Sequence, residues 1–249
     1  MIKQYLTKNN CYIKGQKHVP KGFMLHSTGA NNPYIKRYVP NDENGLIGVN
    51  QYNNTWDTPT PGGTSVCVHG FIGKLNDGTV DFVQTLPWSY VGWHSGKGTK
   101  GSANYMGYVG VEICEDGLED TEYFKTVYNK AVEVVSDFCK QYNLNPLNDG
   151  VVICHSEGYK MGIASNHADV MHWFSKHGKT MDDFRKDVFK NMVEPNEWSK
   201  AARDWIVSSG IIAGYGNGDF GWSDTITREQ LAVILYRFKE YMNKKGDAN

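Results

Sequence analysis

Val109-Gly110-Val111-Glu112-Ile113, followed a few residues on by the long stretch Glu122–Tyr142, sets the fold class. The first is short, apolar and bounded by polar residues, as a strand in a sheet core is. In the second, Phe124, Val127, Tyr128, Ala131, Val135 and Phe138 recur at helical spacing. Glu119, Asp120 and Glu122 stand at its start and Lys140 near its end, the order that the helix dipole favours. Similar short apolar runs lie at Phe23–His26, Val66–Ile72, Val80–Thr85 and Val151–Cys154. The turn signal Asn76-Asp77-Gly78 between the second and third predicts a hairpin. Met181–Met192 is a further short helix. Strands mixed with helices in this order predict an α/β domain with a mixed β-sheet flanked by helices.

The pattern breaks at Val193-Glu194-Pro195-Asn196, a linker dividing residues 1–192 from residues 193–249. Beyond it two helical segments, Trp198–Ser209 and Thr227–Lys244, flank the turn Gly214-Tyr215-Gly216-Asn217-Gly218-Asp219. A helix–loop–helix unit of this size is small for independent stability, so it is expected to dock on the main domain or on another copy of itself.

Composition narrows the partners. Of the 249 residues 40% are hydrophobic, enough for a core, and the formal net charge of −1 gives no electrostatic reason to expect nucleic acid or an anionic membrane. The fifteen Tyr and seven Trp suit sugar faces as well as core packing. Cys11, Cys67, Cys114, Cys139 and Cys154 form no Cys-x-x-Cys pair and read as free thiols of a protein made in a reducing cytoplasm. Residues 1–10 lack the apolar core of a signal peptide, and no apolar run has the length of a membrane span. If the protein acts outside the cell, another protein must release it.

Two of the eight histidines end predicted strands: His26 in Met24-Leu25-His26-Ser27-Thr28-Gly29, and His155 in Val151-Val152-Ile153-Cys154-His155-Ser156. Strands hold side chains rigidly and imidazole is the commonest zinc ligand, so the pair are candidates for one shared metal. A third ligand is expected shortly after His155. Ala164-Ser165-Asn166-His167-Ala168-Asp169-Val170-Met171-His172 offers His167, Asp169 and His172, and spacing alone does not choose.

Several blocks occur in a telling order. They are Leu25-His26-Ser27-Thr28; Cys67-Val68-His69-Gly70-Phe71-Ile72 with Asp77-Gly78-Thr79-Val80; Gly92-Trp93-His94-Ser95-Gly96; Asn104 with Gly110-Val111-Glu112-Ile113; and His155-Ser156-Glu157. Together, over roughly residues 20 to 190, they resemble the type 2 N-acetylmuramoyl-L-alanine amidases, a family that includes phage endolysins and is related to peptidoglycan recognition proteins. The resemblance implies zinc held by His26, His155 and Asp169, with hydrolysis of the bond between N-acetylmuramic acid and L-alanine in bacterial peptidoglycan. It implies Glu112 as the general base and a catalytic residue two positions before the third ligand. The family commonly has Lys there; this chain has His167, whose charge depends on pH near neutrality. His69, His94 and Trp93 match cleft-lining positions and are expected to contact substrate; His18, His172 and His177 are expected to be structural or superficial. Glu112 would take a proton from the attacking water and return it to the alanine nitrogen, with His167 beside the developing oxyanion.

Residues 195–245 resemble an S-layer homology (SLH) unit through Trp198 to Gly210-Ile211-Ile212, the glycine-rich turn, and Thr225-Ile226-Thr227-Arg228-Glu229-Gln230-Leu231-Ala232. Such units bind secondary wall polysaccharide, usually in threes; Arg228 and Asp219 would touch it here. With a single copy, a packing or homo-oligomerisation module is the competing expectation. For the whole chain, a phage or prophage endolysin is favoured over a host autolysin. The rival classes are a non-catalytic peptidoglycan-binding protein of the same fold and, last, a Cys–His peptidase using Cys154 or Cys114.

Overall fold

The computed structural model describes residues 2–193, 197–216, 220–222 and 224–246. The chain divides into two compact units, Met1–Met192 and Val193–Asn249. The first contains β1 (Ile2–Lys3), α1 (Asn10–Lys14), β2 (Gly22–Ser27), β3 (Gly70–Lys74), β4 (Val80–Gln84) and β5 (Tyr108–Ile113). It continues with α2 (Thr121–Tyr142), β6 (Val152–Cys154), α3 (His155–Met161), α4 (Met171–Phe174) and α5 (Met181–Val193). This is the mixed α/β architecture expected from the sequence.

The six strands form one sheet in the order β1-β4-β3-β5-β2-β6. Only β3 and β4 pair antiparallel, across the turn at residues 76–78; all other neighbours are parallel. The run expected as a strand from Val66 to Ile72 enters the ladder only at Gly70. Before that, Cys67 exchanges backbone hydrogen bonds with Trp93, and the His69 N–H bonds to Gly110 O, so these residues pair with loops and with the edge of β5. β1 carried no sequence signal; its two residues pair in parallel with Val83 and Gln84.

Alternation along the strands sorts the side chains into two layers. Phe23, Leu25, Ile72, Val109, Val111 and Ile113 face α2 and α5 in the main core, where Phe124, Val127, Ala131, Val135 and Phe138 of α2 are buried. Burying each of these Val, Leu, Ile and Phe side chains contributes about 1.5–3 kcal/mol. α2 starts at Asp120, whose carboxylate accepts from the N–H groups of Glu122 and Tyr123, and ends at Asn143 in the left-handed conformation. The Ser136 hydroxyl bonds to Val188 O and the Tyr128 hydroxyl to Asp187, tying α2 to α5. On the opposite face, Phe71, Val83, Tyr38, Val39, Ile35 and Ile47 form a second core under the loops between β2 and β3. His26 and Glu112 project to this face, in register with each other and with Phe71.

In the second unit, a 3-10 turn at Glu197–Ser199 leads into α6 (Lys200–Ser208), and α7 (Arg228–Gly246) follows the glycine-rich segment. Its described elements are helical. Trp205 packs edge-on against Tyr241 at 5.8 Å and Phe238 at 6.5 Å, joining the two helices. Thr227 and Gln230 cap α7 reciprocally, each side chain accepting from the other's backbone N–H. Among the described residues, no helix is long and apolar enough to cross a membrane.

Candidate metal centre

Three strand ends meet at one point. β2 delivers His26, β5 delivers Glu112 directly opposite it, and β6 stops at Cys154, which pairs with Leu25, so that His155 opens α3 beside them. The carboxyl ends of neighbouring parallel strands are where open α/β sheets place their sites. The loop after α3 then returns Asp169 to the same point, its backbone O accepting from Ser156 N–H.

His26 Nδ1 lies 3.1 Å from Asp169 Oδ2 and 3.1 Å from His155 Nδ1; the third side of the triangle, His155 Nδ1 to Asp169 Oδ2, is 3.6 Å. Among the described residues these are the only three or more His, Cys, Asp or Glu whose donor atoms lie close enough to hold one metal. Zinc bonds of about 2.0–2.2 Å in a tetrahedron put ligand atoms roughly 3.3–3.6 Å apart, close to the triangle observed. His26 is 1% and His155 4% exposed. Nearby, Glu112 Oε2 is buried without a hydrogen-bond partner, an orphan that calls for a polar partner. The donor set therefore fits zinc with three protein ligands.

The electrostatics reflect the crowding. Burial pushes Glu112 up to about 7, against the pull of His26 and with help from Asp169 and Glu115. Burial opposes charge on His26, but the bond to Asp169 and the charges of Glu112 and Asp169 prevail and raise it. Burial takes His155 down to about 4, aided by the charge of His26. Asp169 is lowered: burial opposes ionisation, but the bond to His26 and the two imidazoles outweigh it.

The other offered ligands go elsewhere. His172 Nε2 is 3.0 Å from Glu115 Oε1. His167 is exposed, with Nδ1 3.2 Å from the far nitrogen of His155 and 3.1 Å from Ser165 Oγ. Two residues expected to contact substrate are buried. His69 is fully buried with both ring nitrogens occupied, Nε2–H donating to Tyr90 O at 2.8 Å and Nδ1 accepting from Gly110 N–H at 3.0 Å. Burial holds it down to about 3, so it is a neutral strut at the start of β3, against β5. His94 is 8% exposed and lies against His26, its Nδ1 3.0 Å from His26 Nε2. Trp93 is half-buried, its ring 6.3 Å from that of exposed Tyr105. Ser165, next to both His155 and His167, was missed because a serine in a polar loop gives no sequence signal.

The sequence model of the N-acetylmuramoyl-L-alanine amidases matches residues 16–172, more than half of the chain. The chain belongs to this amidase family. All of His26, Glu112, His155 and Asp169 fall inside the matched span. Among solved structures, the chain is similar to the Staphylococcus aureus hydrolase AmiA in complex with its ligand, at 19% identity over 81% of this chain and 85% of that one, with a TM-score of 0.50. The PlyG catalytic domain gives 19% identity, 78% and 98% coverage and a TM-score of 0.49. The XlyA catalytic domain gives 18%, 75% and 97%, and 0.48. Identities this low speak to the fold alone. No curated protein sequence matches the chain.

In the second unit Arg228 is exposed at the first turn of α7, and Asp219 lies outside the described residues. A cleft of about 500 Å³ is lined by Tyr215, Trp222, Asp224, Glu229 and Arg237 among others, and Arg228 is not part of its lining.

Proposed function

We propose that this protein is a zinc-dependent amidase that hydrolyses the amide between N-acetylmuramic acid and L-alanine in peptidoglycan. The observation that carries the reading is the coincidence of family membership with three convergent donors and an unpartnered carboxylate at the same strand ends. His26, His155 and Asp169 would hold the metal. When bound, zinc supplies Lewis acidity to the water and to the amide carbonyl.

The rest of the chemistry belongs to the chain. Glu112, raised toward neutrality by burial, is suited both to accept a proton from water and to give it back. As the C–O bond forms it takes the water's proton, and as the C–N bond breaks it delivers that proton to the departing alanine nitrogen. His167, exposed with its ring 4.6 Å from that of His155, would donate a hydrogen bond to the carbonyl oxygen as negative charge develops on it. Half-buried Trp93, paired with Tyr105, offers an apolar ring suited to a sugar or stem-peptide face.

The wider reading is an endolysin of phage or prophage origin. The five free cysteines support synthesis in a reducing compartment. In the second unit, Arg228 and the aromatic cleft would engage secondary wall polysaccharide, or the unit would join chains into a homo-oligomer, with several copies adding avidity.

Parallel measurement of zinc content and wall lysis tests the roles. His26→Ala should lose both, whereas Glu112→Ala should keep its zinc and lose lysis by about 10²–10⁴-fold. Full lysis by Glu112→Ala would remove the proton-transfer step from the proposal.

A further inference from the structure

We propose that, in the zinc-loaded protein, His94 and Ser165 are positioning residues that fix His26 and His155 as Nε2–H tautomers, leaving both Nδ1 lone pairs, with Asp169, to the metal. The inference rests on the zinc reading above and concerns what makes those two rings competent ligands.

The hydrogen-bond chain has one consistent direction. His94 Nε2 lies 3.3 Å from Tyr108 O, which can only accept, so the ring's proton sits on Nε2 and Nδ1 is a lone pair. That lone pair is 3.0 Å from His26 Nε2. Two lone pairs cannot face each other at that distance, so His26 Nε2 carries a proton and donates it. With a metal ion among the three donors, the lone pair of His26 is then on Nδ1, the atom 3.1 Å from Asp169 Oδ2. At the second ring, Ser165 Oγ lies 3.2 Å from Ser95 O and 3.3 Å from His155 Nε2. Ser165 Oγ can give its proton to Ser95 O or to His167 Nδ1, 3.1 Å away, and in either case it accepts from His155 Nε2–H. His167 Nδ1, 3.2 Å away, lies beside the same N–H. The lone pair of His155 is left on Nδ1, facing the other two donors.

One segment supports both rings. The N–H groups of His94 and Ser95 both bond to the Oδ1 of fully buried Asn104, at 2.8 and 3.2 Å. Gly110 leaves the space that the His94 ring fills, since a Cβ there would stand 2.4 Å from His94 Cγ. Gly96 does the same for Ser165, whose Oγ would be 2.6 Å from a Cβ. The block Gly92-Trp93-His94-Ser95-Gly96 therefore acts behind the metal ligands, and its histidine serves His26 rather than the substrate.

The test is zinc affinity, measured by chelator competition on the full chain. His94→Leu removes the acceptor and should weaken binding by about 10–100-fold. His94→Asn puts Oδ1 where Nδ1 was and should recover most of that loss, which a merely space-filling role would not produce. A folded His94→Leu variant with wild-type affinity overturns the inference while leaving the zinc reading intact; a wild type that binds no zinc overturns both. The zinc-loaded wild type gives a check that needs no variant. Nitrogen-15 histidine spectra should show a proton on Nε2 of both His26 and His155, and a proton on Nδ1 of either would overturn the assignment.

Discussion

Gly110→Ala is a one-methyl substitution, two residues from Glu112, whose consequences can be worked out in full. The new Cβ would lie 2.4 Å from Cγ, 2.5 Å from Nδ1 and 2.8 Å from Cδ2 of His94. Relaxed carbon contacts are about 3.5–4.0 Å, so the ring would have to retreat by about 1 Å. It is held by His26 at 3.0 Å and by Tyr108 O at 3.3 Å, and the backbone N–H of His94 is tied to Asn104 Oδ1 at 2.8 Å. Overpacking of this kind costs about 1–3 kcal/mol. Because Gly110 does not have a positive φ, alanine returns about 0.4–1 kcal/mol through the unfolded chain. The net loss is about 1–2 kcal/mol, a fall in Tm of about 2–8 °C for a domain of this size. A ring displaced by that much also loses the contact to His26, so zinc affinity should drop about tenfold or more. Calorimetry and chelator competition on the same preparation read both effects. Gly117→Ala, whose Cβ would meet nothing closer than 3.8 Å, is the matched control and should stay within about 0.5 kcal/mol. Wild-type Tm and zinc affinity in Gly110→Ala would refute the packing of His94 against the sheet as the origin of its role.

Three further outcomes are expected. Asp169→Ala should lose zinc while His172→Ala, whose ring is paired with Glu115, should retain it; full occupancy in Asp169→Ala would exclude it as the third ligand. His69 stays neutral down to about 3 while the unfolded chain protonates near 6.5, so the native state binds fewer protons in that window. Its contribution to stability is complete above pH 6.5 and drains as the pH falls toward about 3; His69→Gln should show a shallower acid loss in urea unfolding, and identical slopes would contradict the buried neutral ring. Phe138→Ala removes a ring 1% exposed, 5.2 Å from Phe23 and 5.4 Å from Trp88, and should cost about 3–5 kcal/mol by chemical denaturation, with a loss under 1 kcal/mol contradicting its place in the core.

Much of this was legible in the sequence because the relevant signals are local. α2 starts and stops where its acidic N-terminus and apolar spacing indicate, at Thr121 and Tyr142. The Asn76-Asp77-Gly78 hairpin carries the one antiparallel pairing. His26 and His155 could be found because an apolar strand fixes the residue at its end. What stayed hidden depends on contacts between distant segments. β1 is two residues long and exists only because β4 offers an edge. His69 and His94 carry no mark that distinguishes a ring facing the cleft from one facing the sheet; that is set by Gly110, whose missing side chain admits His94, and by backbone partners at Tyr90 and Tyr108. Of His167, Asp169 and His172, the fold of the loop brings His172 to Glu115 and Asp169 to the paired histidines.

The central claim concerns which bond is cut, and the products of wall digestion report on it directly. Purified peptidoglycan treated with the protein should release peptides with new free amino groups on L-alanine and leave the glycan strands without new reducing ends, by mass spectrometry and end-group analysis. New reducing sugar ends without freed alanine amines would contradict the account.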